Sequence, residues 1–350
     1  MYVEPDVGFV FDDVRTKRRF TISSPEQLEL CLRAQSPTSR ADLCWFAADK
    51  LGLAAGDAEA AVADLEQAGL LLAEDDALYL DYRFQAPIWF EHNWWAAFVY
   101  ASVIRDVPYL DYQEALERGD DGARMAAYSA VEEPPPRYKE CGGALTLLPR
   151  TWDALSDVPI GSLLVDDVFE DPPQDRPLTL GQINTLLLYT VAQTGRVEQP
   201  YQGEMLLKSV PSGGARHPTE TYVFSIDTEL GPGLFHYSVR EHGLQRMADL
   251  PDEDEMRRLI YELENGPMFP PKAVVVFTSK AERSMWRYRE EPRSYRVLCH
   301  DVGHVLENMK FAAKATGVRI YFGHGIDDAR IGPLLELDGD ECVLKFASLA

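Results

Sequence analysis

The sequence lacks paired cysteines. Its five cysteines, Cys31, Cys44, Cys141, Cys299 and Cys342, are scattered over 350 residues without a Cys-x-x-Cys. That spacing argues against both a disulfide framework and a zinc site, so no metal is expected. Positive charge is scarce too: 34 Lys and Arg stand against 57 Asp and Glu, a net charge of −23. Such a surface repels nucleic-acid phosphates and argues against a nucleic-acid partner. No apolar run reaches the roughly 18 residues of a membrane span. The start, MYVEPDVGFVFDD, has neither the basic residues nor the apolar stretch of a signal peptide. The chain therefore reads as cytoplasmic, with no membrane partner. What it does have is a hydrophobic fraction of 46%, enough for a real core, and a length that suits two domains.

Residues 1–85 read as a winged-helix-like N-terminal domain. A strand pair (VGFVFDD, RRFTI) precedes helices over 25–34, 39–52 and 57–68, with Pro25 in a first turn and Gly69 as a C-cap. LLLAEDDALYL then reads as two short strands around an acidic turn. The third helix, DAEAAVADLEQAG, carries no Lys or Arg, so it is a poor groove reader and better suits a structural or peptide-holding module. Residues 86–160 read as a connecting, substrate-facing segment. Its cluster of Trp89, Phe90, His92, Trp94 and Trp95 either lines a substrate surface or packs in a core, and such clusters favour the core. EEPPPRYKECGG (132–143) is turn-rich and marks a boundary or a mobile loop.

Residues 161–350 read as one domain of regular elements. LTLGQINTLLLYTVAQTGR is a Thr-capped helix ending at Gly195. TYVFSID and LFHYSV are strands joined through Gly-Pro-Gly, PDEDEMRRLIYELEN is a helix with an acidic start, and AVVVFTS is a buried central strand. YRVLCHDVGHVLENMKFAAKATG is the longest helix, with Leu298, Val302, Val305, Met309 and Ala312 on one face. The fold class is α+β, a mainly antiparallel sheet flanked by helices.

The segment SVPSGGARHPTETYV, residues 209–223, is the most specific in the chain. Gly213 and Gly214 let backbone pass close to a planar or phosphorylated ligand. Ser212 and the loop amides can donate to oxygens, and Arg216 offers a planar cationic fork. The string resembles the P-S-G-G-A-x-x-P-x-E-x-Y-V motif of SagB-type dehydrogenases in the FMN-dependent nitroreductase superfamily. LTLGQINTLLLYTVAQTGR, LGPGLFHYSVREHGLQRM and HDVGHVLENMKFAAKATGV are similar to that family's segments in the same order. The resemblance implies a nitroreductase-like core and a homodimer binding FMN at its interface. It also implies oxidation of thiazoline or oxazoline rings to thiazoles or oxazoles in a modified precursor peptide, and allows a cyclodehydratase partner. The implied cofactor-binding residues are Ser212, Gly213, Gly214, Ala215, Arg216 and His217, with Gly323, His324 and Gly325 in a second turn whose amides can donate to the flavin.

Two departures from the family stand out. Asp166 and Asp167 lie where nitroreductases carry arginines for the FMN phosphate. Either Arg216, Arg196 or another base takes over, or the alignment slips, or flavin binding is weakened. Met285-Trp286-Arg287-Tyr288 lies where azoline dehydrogenases resemble one another in Leu-Lys-Tyr. Arginine stays protonated and makes a poor base, so Tyr288 becomes the candidate for proton transfer, with Arg287 beside it as a cation. His304, three residues after Asp301, reads as a hydrogen-bonded structural residue. Alternative functions are oxidation of another peptide or amino-acid-derived substrate, NAD(P)H-dependent nitro or quinone reduction, and an inactive peptide-holding scaffold.

Overall fold

A computed structural model of the chain describes residues 2–4, 8–13, 18–22, 24–105, 119–151, 159, 161, 175–199, 202–263, 265–267 and 269–350. The chain divides into two compact units, Met1–Tyr109 and Leu110–Ala350. The stretch read as one connecting segment over 86–160 is therefore shared between them.

In the first unit, β1 (Tyr2–Glu4), β2 (Gly8–Asp13) and β3 (Arg18–Ile22) form an antiparallel sheet. The Ser24 side chain accepts the Gln27 amide hydrogen and Pro25 fills the first turn, which sets the start of α1 (Pro25–Arg33). Ser39 caps α2 (Arg40–Asp49) in the same way, and α3 (Ala55–Ala68) stops at Gly69, whose φ of 78° only glycine adopts cheaply. Leu30, Leu43, Ala47, Val62 and Leu65 close a small core.

The hairpin expected over 70–80 is absent; a turn leads into α4 (Ala77–Glu91). Ala-Leu-Tyr-Leu contains no β-branched residue and three strong helix formers, so local helical bonding wins over strand pairing. No wing follows the third helix. The aromatic cluster is not core either. Phe98 of α5 (Trp95–Arg105) is buried, but Trp94 is 63% and Trp95 58% exposed. Trp89 packs on Trp94 and Phe98, with ring centroids 6.3 and 6.1 Å away.

Among its described residues the second unit begins with α6 (Asp120–Val131) and β4 (Leu145–Leu147). Between them, residues 132–143 form no regular element. They are instead tied down: Arg137 donates to the Gln202 and Glu204 carbonyls, and Lys139 pairs with Glu341 at 2.7 Å. A capping box of Thr179 and Gln182 starts α7 (Leu180–Thr190). This helix ends five residues before Gly195. Thr190, Val191 and Thr194 are β-branched, and the chain leaves to pair β5 (Gln193–Gln199) with β6 (Gly203–Lys208).

The central sheet contains β4, β7 (Thr219–Ser225), β8 (Gly233–Ser238), β9 (Gly243–Ala248), β10 (Ala273–Lys280), β11 (Ile320–Gly323) and β12 (Glu341–Leu349). Its order is β11-β12-β10-β7-β8-β9-β4, and every pairing is antiparallel. Alternation along β7 and β10 sends Val223, Val275 and Phe277 to one face and Tyr222, Phe224, Val274 and Val276 to the other. The first face packs on α7 and on α10 (Tyr295–Ala315), through Leu186, Leu187, Val302, Val305 and Met309. The second packs on α8 (Glu253–Leu259) and α11 (Asp328–Leu334), through Met256, Leu259 and Ile331. Helices on both faces of an antiparallel sheet are the α+β arrangement expected. α9 (Glu282–Arg287) follows β10 directly. Among the described residues no helix is long and apolar enough to cross a membrane.

Candidate functional site

The loop between β6 and β7 carries the 209–218 segment, and its backbone is strained. Gly214, Ala215 and His217 have φ of 58°, 49° and 46°, and for the two non-glycine residues this conformation costs energy that surrounding bonds must offset. Asp301, from the buried face of α10, supplies those bonds. Ser212 Oγ donates to Asp301 Oδ2 at 2.5 Å and the Gly213 amide donates to Oδ1 at 3.2 Å. The His217 amide donates in turn to Ser212 Oγ at 2.8 Å. Burial raises the Asp301 pKa, opposed by these two bonds from Ser212 and Gly213. The expected structural pairing with His304 is corrected here, because His304 is exposed and both carboxylate oxygens bind the loop. A polar residue on an otherwise apolar helix face, beside Leu298 and Val302, was the sequence signal for this role.

Tyr288 and Arg287 meet this loop at Gly214. A Cβ added to Gly214 would lie 2.7 Å from the Tyr288 hydroxyl and 3.1 Å from Arg287 Nε. Only a glycine admits both groups so close to the backbone. Arg287 ends α9, Tyr288 caps it, and the guanidinium carbon sits 5.7 Å from the Tyr288 ring centroid. Arg287 Nη2 pairs with Asp121 of α6 at 3.0 Å. Burial alone lowers the Arg287 pKa, but bonding to Asp121 outweighs it and raises the pKa above its ordinary value. Trp286 anchors the same contact: it is buried against Met125 and Tyr128 of α6 and donates to the Glu132 carbonyl at 3.2 Å. Asp121 and α6 had no motif to reveal them in sequence.

Arg216 is 1% exposed. Its Nε donates to the Gly214 carbonyl at 2.8 Å and Nη2 to Gln202 Oε1 at 2.7 Å. Just behind the loop, Glu220 pairs with Arg283 at 2.6 Å and with His236 at 3.1 Å, all three buried. Burial opposes the Glu220 charge, yet Arg283 and His236 hold its pKa at about 2. Arg283 also donates to the Pro136 and His217 carbonyls, so it ties the 132–143 segment (a strap across this site), the loop and the sheet together.

A small cavity of about 10 Å³ beneath the loop is lined by Lys208, Ser212, His217, Thr219, Asp301 and Val305 among others. It has room for about one water molecule and for no ring system. Burial lowers the Lys208 amine to about 8. His217 Nε2 lies 3.0 Å from the Leu206 carbonyl. Burial first, and Lys208 second, push the His217 pKa down from 6.5 to about 3. A base whose pKa is depressed on folding stabilises fully above its unfolded value and loses that stability as pH falls. The window here runs from 6.5 to about 3. Within it, the unfolding free energy of the wild type is expected to fall by up to about 1.4 kcal/mol per pH unit through this one group. Denaturant titrations at several pH values check this against His217→Gln, which should show a shallower slope; equal slopes would contradict it.

Other sequence candidates lie elsewhere. The His324 and Gly325 amides both donate to Glu262 Oε1, at 3.2 and 2.7 Å. Gly323 ends β11, three strands across the sheet from β7, roughly 14 Å away by strand spacing. The chain therefore does not bring Gly323, His324 and Gly325 to the 212–217 loop. Arg196 is an exposed partner of Glu204 at 2.8 Å. Asp166 and Asp167 lie outside the described residues.

The nitroreductase family model matches residues 174–347, which span this loop and the sheet around it. The trifolitoxin-processing protein TfxB of Rhizobium leguminosarum bv. trifolii is 31% identical over 286 residues, 78% of this chain and 72% of its own length. This chain belongs to the nitroreductase family. Among solved structures, an Anabaena variabilis nitroreductase aligns with a TM-score of 0.46 and 23% identity, over 66% of this chain and 46% of that one. The Escherichia coli microcin synthetase McbBCD complex with truncated pro-MccB17 aligns with a TM-score of 0.42 and 18% identity, over 69% and 94%. The chain thus spans under half of the Anabaena protein.

Proposed function

We propose that this nitroreductase-family oxidoreductase is an FMN-dependent dehydrogenase of the SagB type, oxidising thiazoline or oxazoline rings of a modified peptide to thiazole or oxazole. The observation that carries this reading is the seating of Tyr288 and Arg287 on Gly214, inside the loop that resembles the family's flavin motif. A relative named for trifolitoxin processing supports a peptide substrate. The site fits FMN in two respects: Arg216 is buried with its Nη1 lacking an acceptor, and Gly214 lets other groups come close to the loop backbone. Ser212, Gly213, Gly214, Ala215, Arg216 and His217 would hold the cofactor. The turn at 323–325 is left out of this assignment, since β11 lies three strands from β7 across the sheet. When bound, FMN supplies two-electron acceptance.

The protein's own part is positioning and proton handling. Asp301 fixes the loop through Ser212 and Gly213. Tyr288 acts as a phenolate that Arg287, locked by Asp121, stabilises; its Oη takes the ring proton and becomes a neutral phenol. The partners in this reading are a second copy of the chain and the precursor peptide. The first test is colour. The purified chain, or the chain reconstituted with FMN, is expected to show protein-bound flavin absorption that denaturation releases as FMN. A chain that remains colourless after reconstitution would overturn the reading.

A further inference from the structure

Two guanidiniums, Arg137 and Arg216, meet at the flavin-motif loop with too few acceptors. Arg137 Nη2 donates to the Gln202 carbonyl at 2.7 Å and Arg216 Nη2 to the Gln202 side chain at 2.7 Å, so Gln202 brings the two together. Gly214 does the same for Arg216 and Arg287. Arg137 Nη1 and Arg216 Nη1 are both buried without an acceptor. Asp121 serves Arg287, but among the described residues no carboxylate pairs with Arg137 or Arg216. Burial and the like charges of Arg137 and Arg287 lower the Arg216 pKa to about 9; Arg137 is lowered by burial and by Arg283. A buried, uncompensated cation cluster is costly unless an anion completes it.

We propose that Arg137 and Arg216 form an oxyanion site that takes a phosphate group, while Arg287 stays with Asp121 and Tyr288. The guanidinium forks match phosphate oxygens through charge-assisted bonds. Gln202 offers Arg216 only a neutral acceptor, which a phosphate replaces with a stronger one. On the flavin reading above, the source is the FMN phosphate; a free phosphate shares the chemistry.

Equilibrium titration of the apo-chain with FMN, riboflavin and inorganic phosphate tests the site, for wild type, Arg137→Gln, Arg216→Gln and Arg216→Lys. The expected result is tighter binding of FMN than riboflavin. Each glutamine substitution should weaken FMN by roughly 10- to 100-fold, the scale of a lost bond to a charged group, leave riboflavin unchanged, and be partly rescued in Arg216→Lys. If no flavin binds but phosphate does, and Arg216→Gln abolishes it, the site stands with a free phosphate as source and the flavin reading falls. Equal binding of FMN and riboflavin with no phosphate binding would overturn the site while leaving the flavin reading intact. Equal loss of FMN and riboflavin in the glutamine variants would also overturn it, because the arginines would then only support the loop. Thermal unfolding of each variant excludes gross misfolding, and Arg216→Lys keeps the charge if Arg216→Gln does not fold.

Discussion

Tyr288→Phe is expected to lower turnover on an azoline-bearing peptide by roughly 10²–10⁴-fold, the usual contribution of a positioned proton-transfer group. The substitution removes one oxygen. The half-buried ring stays under Arg287, with the guanidinium carbon 5.7 Å from its centroid, so folding and flavin content should not change. The loss should fall on the chemical step more than on substrate affinity, since the hydroxyl acts on a proton in transit. Arg287→Lys keeps a cation beside Tyr288 and should retain much of the activity. Arg287→Ala loses both the cation and the tie to Asp121, and should not. Steady-state and single-turnover rates on the peptide decide this. Near-wild-type turnover in Tyr288→Phe would remove this residue from the mechanism.

Arg283→Met is expected to destabilise the second unit by about 3–5 kcal/mol, the cost of breaking a buried ion pair from one side. Arg283 is 1% and Glu220 3% exposed, and 2.6 Å separates them. Truncation also strips a donor from the Pro136 and His217 carbonyls, so the strap, the strained loop and β7 lose their common tie. His236 keeps Glu220 partly neutralised, which caps the damage. Replacing both partners, Arg283→Met with Glu220→Leu, should cost less than the single change, because no bare carboxylate stays buried. Denaturant unfolding measures both; a loss below about 1 kcal/mol for the single variant would put the pair outside the core of the fold's stability.

Much of this was legible in local sequence. Caps and periodicity mark Pro25–Arg33, Leu180–Thr190 and Tyr295–Ala315, because their signals lie within a few residues of each helix. The apolar run at Ala273–Lys280 marks a strand buried on both faces. The loop at 212–217 and the Arg287-Tyr288 pair were found separately, 71 positions apart from Arg216 to Arg287 as numbered in the sequence, and only the fold joins them at Gly214. What stayed hidden depends on distant partners. Arg137 sits in a turn-rich strap whose bonds go to residues 202 and 204, and Asp121 acts only through Arg287. The exposed Trp94 and Trp95 show the converse limit, since an aromatic helix segment carries no local mark of which side faces water. The missing hairpin over 70–80 is a case of helix propensity outweighing a plausible turn.

The most direct measurement is the mass of a thiazoline-bearing peptide incubated in air with the flavin-loaded chain. Each ring is expected to lose two hydrogens, only with the chain present, and to lose them far more slowly with Tyr288→Phe. An unchanged peptide mass, with the same flavin-loaded chain rapidly oxidising NAD(P)H in the presence of a nitroaromatic, would contradict azoline dehydrogenation and leave a reductase in its place.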